Sequence, residues 1–184
     1  NRGGVESKVG EYSMSAVGPG PFAKQNWEYA RKAGLKCMAK VQVNSTWEMS
    51  IAPSIPVLDL VAQHAENLSK EGVEGVFLSW SLGGYPSENL KYFLSYDGQR
   101  SKSEALEEFA CKEYGKEAGP LVCKAWSECS MGFEEYPYYI SSLYYGPHHV
   151  GPSNIFYTSP TKYIATMVGI PYDHYDKWRQ IYPM

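Results

Sequence analysis

Two kinds of apolar pattern alternate along the first eighty residues of the chain. Nearly continuous apolar runs at 35–43 and 73–80 are typical of strands buried on both faces. Between them, apolar residues at 57–70 recur every three or four positions, which predicts an amphipathic helix closed by Gly72. Strands separated by a helix of this length are expected to pair in parallel.

An earlier unit of the same kind is predicted near the amino end. Residues 11–17 alternate between polar and apolar types, which predicts a first strand that ends at the glycines and prolines of 18–21. A helix is predicted from about residue 22 to 33, with Pro21 in its first turn and Gly34 as its C-cap. The chain is therefore expected to contain three successive βα units.

The pattern changes after the third predicted strand. Residues 103–114 are expected to form a helix capped by Ser103, and residues 120–135 a second one. Residues 137–184 are too rich in proline and glycine for regular structure and too aromatic for disorder, so we expect them to wrap over the rest. Two regions result, with βα units in 1–100 and a helical extension with a wrapping tail in 101–184.

Three βα units predict an α/β fold that corresponds to part of a (β/α)8 (TIM) barrel. A parallel sheet needs cover on both faces, and a three-stranded one leaves an exposed edge unless another segment or a second copy pairs with it. The chain also begins with Asn1 and not with methionine. We therefore expect the last three βα units of a larger barrel, with a complete small α/β domain, or a homo-oligomer, as the alternative.

The composition of the chain argues against several classes of partner. The net charge of −3 leaves no strongly basic face, which argues against nucleic acid. No apolar run reaches about 18 residues, which argues against a membrane span. The four cysteines have no metal-type spacing and are expected to be free thiols, mostly buried. Neither they nor any leader pattern decides between a cytoplasmic and a secreted or periplasmic location.

Aromatic residues make up 15% of the chain, including 16 tyrosines and 5 tryptophans. Such side chains combine an apolar face with a polar tip, so they suit surfaces that stack on sugar rings. The alternative is that they fill a core and an oligomer interface, which we expect for most of them. The aromatic content favours a carbohydrate ligand only where these rings cluster near a site.

Polar and aromatic residues follow two of the predicted strands. Asn44, Trp47 and Glu48 come just after the second strand, and Trp80 and Tyr85 come at the end of the third. Amide, indole and carboxylate groups at strand ends can hold a polar ligand and supply an acid, base or nucleophile. Glu48 is the candidate catalytic residue, and the other four are candidate substrate-binding residues.

The tail adds further candidates for binding. These are His148 and His149, which lie between two Gly-Pro dipeptides, together with Asn154 and Asp173. Adjacent imidazoles point apart, and no HxH or HExxH spacing occurs, so no metal is expected. No cofactor motif is present either. His64 lies within a predicted helix and is expected to be a hydrogen-bonded structural histidine.

Several strings in the chain resemble one class of protein. LSWSLGGYPS at 78–87, KVQVNSTWE at 40–48, YYGPHHVGPSN at 144–154 and TMVGIPYDHYDKW at 166–178 are similar to the C-terminal portion of TIM-barrel, glycoside-hydrolase-like proteins of carbohydrate-degrading bacteria. The resemblance implies that the three strands are the sixth to eighth of the barrel. It also implies that Glu48 is a nucleophile or a substrate-binding carboxylate and that Trp80 is a platform beneath the sugar.

The resulting hypothesis is a carbohydrate-active protein, with a glycoside hydrolase or its C-terminal fragment favoured. Its substrate would be an oligosaccharide or glycoside. Glycoside hydrolysis usually needs two carboxylates, and Asp173 and Asp176 are the options within this chain for a partner to Glu48. The alternative is a non-catalytic carbohydrate-binding or assembly module, in which the aromatic residues only stack or form an interface.

Overall fold

The computed structural model of the protein describes residues 1–6, 13–43, 55–79 and 87–137. In chain order its elements are α1 Pro21–Lys32, β1 Met38–Gln42, α2 Leu58–Glu71, β2 Gly75–Ser79, α3 Glu88–Ser95 and α4 Lys102–Glu134. The predicted helices and the second and third predicted strands are thereby confirmed, with strands shorter than the apolar runs that predicted them.

The two strands form one parallel sheet. Met38 lies opposite Gly75 and Gln42 lies opposite Ser79, so the strands pair along their whole length without an offset. Immediately before the strands, the Glu74 carboxylate accepts a hydrogen bond from the Cys37 backbone N–H at 2.6 Å. The parallel pairing predicted for these strands is therefore confirmed.

The prediction of a partial TIM barrel is wrong. The described residues contain four helices and a two-stranded sheet, which is too few strands for the last three βα units of a barrel. Where a first strand was predicted at 11–17, residues 13–16 form a turn in which the Ala16 N–H donates to the Ser13 carbonyl at 3.0 Å. The Ser13 hydroxyl also accepts from the Ser15 N–H at 3.1 Å. Such local side-chain bonds compete with strand pairing, which explains the missing strand.

The core lies between α2, one face of the sheet, α3 and α4. β1 alternates, with Ala39 and Val41 buried and Met38 and Lys40 exposed. Phe77 of β2 is 65% exposed, so the expectation of strands buried on both faces is wrong. Six residues of α2 are buried, namely Leu58, Leu60, Val61, Ala62, Ala65 and Leu68. The helix ends as predicted at Gly72, whose φ of 64° is a left-handed conformation that favours glycine.

The long helix α4 is a helical hairpin. Gly115 has φ 85° and ψ 162°, which breaks the helix into two segments that fold back on each other. The rings of Phe109 and Trp126 lie 6.1 Å apart across the hairpin. Two helical segments were predicted here, but the predicted cap at Ser103 is wrong. Ser101 is the N-cap, because its hydroxyl accepts from the Glu104 N–H while the Glu104 carboxylate accepts from the Ser101 N–H.

The cysteines are free, as expected, but only Cys37 is buried. Cys111 and Cys123 are half-buried and Cys129 is exposed, so the expectation that most are buried is wrong. In the part of the chain that the structure describes, no helix combines the length and the apolar character needed to cross a membrane. This finding agrees with the absence of long apolar runs.

Candidate functional site

The carboxyl ends of β1 and β2 lie side by side. Gln42 and Ser79 are paired residues, and each is the last of its strand. Val43 and Ser79 are the last described residues before the two segments that contain the predicted ligand groups.

Apolar side chains form a packed floor beneath this edge. Val43, the residue after β1, is 1% exposed, and Val41 is 2% exposed. Met14, Leu60 and Phe93 pack into the same core. The gap that remains among these residues is about 10 Å³, which is too small for anything beyond a single water. A ligand at this edge would have to bind outside the floor.

His64 of α2 also lines this gap. Its ring packs against Gly18, because a Cβ placed on Gly18 would lie 3.0 Å from the His64 Nε2. Asn67, one turn further along α2, holds the same loop by donating from Nδ2 to the Gly18 carbonyl at 2.9 Å. Loss of hydration on burial lowers the pKa of His64 to about 4, so the ring is neutral near pH 7.

The surroundings of His64 indicate a structural position. Among the described residues the ring is held by packing against Gly18, and its predicted hydrogen bond stays a prediction. Burial is the cause that shifts its pKa, with no carboxylate contributing. A histidine that acts as general base usually has an orienting partner, and no described residue fills that role for His64.

His64 also lines a second space, of about 230 Å³. Pro19, Trp27, Lys40 and Leu68 contribute to its walls. The indole N–H of Trp27 is already used, since Nε1 donates to the Met38 carbonyl at 3.2 Å. This bond fixes α1 against the start of β1, and we assign Trp27 a structural role.

Every predicted site residue lies outside the described residues. These are Asn44, Trp47, Glu48, Trp80, Tyr85, His148, His149, Asn154 and Asp173. Their roles stay predictions, and what the structure adds is that the two strands preceding residues 44–48 and 80–85 end side by side. Within the described ranges, no group of three or more His, Cys, Asp or Glu side chains is arranged to hold a metal ion.

Comparison with protein-family models, with curated proteins and with solved structures finds no match to this chain.

Proposed function

We propose that the protein is carbohydrate-active and binds a saccharide at the carboxyl edge of β1 and β2. The observation that carries this proposal is the pairing of Gln42 with Ser79 at the two strand ends. It puts the ends of the two strands that precede residues 44–48 and 80–85 side by side, which supports the proposal. Ligands of α/β proteins bind preferentially at the carboxyl ends of parallel strands, where loops supply the polar groups.

The residue types in these two segments match the chemistry of a sugar. A pyranose has apolar C–H faces and a rim of hydroxyl groups. An indole or phenol ring stacks on a C–H face, and an amide or carboxylate hydrogen-bonds the hydroxyl groups. Trp47, Trp80 and Tyr85 supply the rings, and Asn44 and Glu48 supply the hydrogen-bonding groups.

Glycoside hydrolysis is the chemistry that Glu48 would support. A carboxylate beside the scissile bond acts as nucleophile or as general base, and replacing it by an amide removes both capacities. We expect Glu48→Gln in the full chain to lower turnover of an oligosaccharide substrate by at least about 100-fold, with binding retained. Glu128→Gln, on an exposed position of α4, is the matched control and should leave turnover unchanged.

The saccharide site itself is tested by Trp80→Ala. Loss of a stacking ring should weaken oligosaccharide binding about tenfold by calorimetric titration. Phe22→Ala is the control, because Phe22 is an aromatic residue of α1 that is 75% exposed. Binding that Trp80→Ala leaves unchanged would refute the site. Binding with no turnover by the unaltered protein would support the non-catalytic carbohydrate-binding alternative.

A further inference from the structure

Two cysteines lie in the seam between the two helical segments of α4. A Cβ placed on Gly119 would lie 2.7 Å from the Cys111 Sγ, so the Cys111 sulfur rests against the second segment. The Cys123 Sγ lies 3.6 Å from the Leu106 carbonyl oxygen, so the Cys123 sulfur reaches back to the first segment. Both cysteines are half-buried, so neither is sealed within the core.

The directions of the two segments bring these side chains toward each other. Cys111 lies level with Gly119, and Cys123 lies one turn further along the second segment, a rise of about 6 Å. The Cα–Cβ bonds of a helix tilt toward its N-terminus, so Cys111 leans away from the turn at Gly115 and Cys123 leans toward it. The two sulfurs therefore lie closer together along the seam than the two Cα atoms do.

The electrostatics of Cys123 agree with a nearby thiol. Burial raises the pKa of Cys123, and Cys111 is the next largest cause of the increase, ahead of Glu107 and Asp59. Repulsion between two thiolates falls with distance, so this influence indicates that Cys111 is a close neighbour. A disulfide bond between the two sulfurs would remove both negative charges.

The separation of the two cysteines suits a reversible bond. Disulfides usually join Cα atoms that are about 4.4–6.8 Å apart, and a helical rise of about 6 Å already takes up most of this range. A bond near the upper end of the range is strained. Strained disulfides are reduced more easily than structural ones, as is typical of regulatory disulfides.

We propose that Cys111 and Cys123 form a reversible disulfide by exchange with a low-molecular-weight disulfide such as oxidised glutathione. One cysteine thiolate attacks a sulfur of the small disulfide, so a mixed disulfide forms and one small thiolate leaves. The other cysteine thiolate then attacks the protein sulfur of the mixed disulfide, and the second small thiolate leaves. Two protein thiols are oxidised and one small disulfide is reduced to two thiols, which take up the two protons that the cysteines lose.

The bond would lock the α4 hairpin. It joins the two segments covalently beside the contact between Phe109 and Trp126, so the segments could no longer separate. The site is distinct from the sheet edge and does not depend on Glu48 or Trp80. Its failure would therefore leave the saccharide proposal untouched.

Incubation of the full chain with oxidised glutathione tests this site. After the remaining thiols are alkylated, trypsin digestion without reductant places the two cysteines in separate peptides, 103–112 and 117–124. We expect these peptides to be linked in about tenfold excess over any other cysteine pair, and to separate when dithiothreitol is added. Cys111→Ser should abolish the linkage. Cys129→Ser, at an exposed position of the same helix, is the matched control and should leave it unchanged.

Three results would overturn the proposal. The first is complete alkylation of both cysteines after the incubation. The second is a stable glutathione adduct on either cysteine without linkage, which would show that the second thiol does not reach the first. The third is linkage through Cys37 or Cys129 instead, or the same mixture of pairs in the folded chain and in the chain unfolded in urea. Linkage of Cys111 to Cys123 that dominates only in the folded chain would support the proposal.

Discussion

Replacing His64 should remove a pH dependence of folding stability. Its ring is packed against Gly18 and burial lowers its pKa from 6.5 to about 4. Between these two pKa values the unfolded chain binds a proton that the folded protein does not. Stability contributed by the neutral ring is therefore complete above about pH 6.5 and is lost as the pH falls toward 4. His64→Gln removes the titrating group at this position.

The size of the effect follows from the two pKa values. Linkage with pKa values of 6.5 unfolded and about 4 folded predicts that His64 costs about 2 kcal/mol of stability between about pH 7.5 and about pH 5. The full separation would correspond to roughly 3 kcal/mol near pH 4. Carboxylates with lowered pKa values, such as Glu66 and Asp97, add their own loss mainly below about pH 5. These carboxylates are present in the unaltered chain and in the His64→Gln variant. The difference in pH dependence of stability between the two therefore reports on His64 alone.

Urea unfolding at a series of pH values measures this difference. The unaltered chain should lose about 2 kcal/mol more than His64→Gln between about pH 7.5 and about pH 5, whatever the variant's stability at neutral pH. Lys116→Gln, an exposed substitution on α4, should reproduce the slope of the unaltered chain. Parallel curves for His64→Gln and the unaltered chain would refute the assignment of His64 as a buried neutral imidazole.

Two further predictions concern helix α4. Gly119→Ala should destabilise the fold by about 2 kcal/mol in urea unfolding, because its Cβ would lie 2.7 Å from the Cys111 Sγ. At Gly132 an added Cβ meets nothing within 4 Å, so Gly132→Ala should stabilise the fold by roughly 0.5–1 kcal/mol. A small effect at Gly119 would contradict the close packing of the hairpin. Ser101→Ala should cost about 1 kcal/mol through loss of the capping box, whereas Ser103→Ala should be nearly neutral. A larger loss of stability for Ser103→Ala than for Ser101→Ala would indicate that Ser103 is the N-cap.

Periodicity was sufficient to predict the α2 unit and its flanking strands. The apolar positions of α2 are the ones that pack into the core, and Gly72 ends the helix in a left-handed conformation. Both apolar runs contain strands, although each strand occupies only five residues. These elements were predictable because local pattern and turn residues favour the same structure.

Local hydrogen bonding explains the main failures. Alternation at 11–17 suggested a strand, but the hydroxyl of Ser13 bonds the Ser15 N–H and closes a turn in which Ser13 and Ser15 are buried. Ser101 and Ser103 are both acceptable caps by residue type, and only the reciprocal bond to Glu104 selects the first. In each case two local patterns competed, and the side-chain bond decided which one formed.

The packing of α4 beside α3 shows what periodicity could have added. Tyr92 and Tyr96 are four residues apart, which places them on one face of a helix, and Ser87 before them is a suitable N-cap. These signals together predict α3, whose cap does accept a hydrogen bond from the Leu90 N–H at 3.2 Å. The contact with Phe109 was not predictable in this way, because it depends on how α4 packs beside α3. The face of a helix can thus be predicted from residue spacing, whereas its contacts depend on the position of the helix that packs against it.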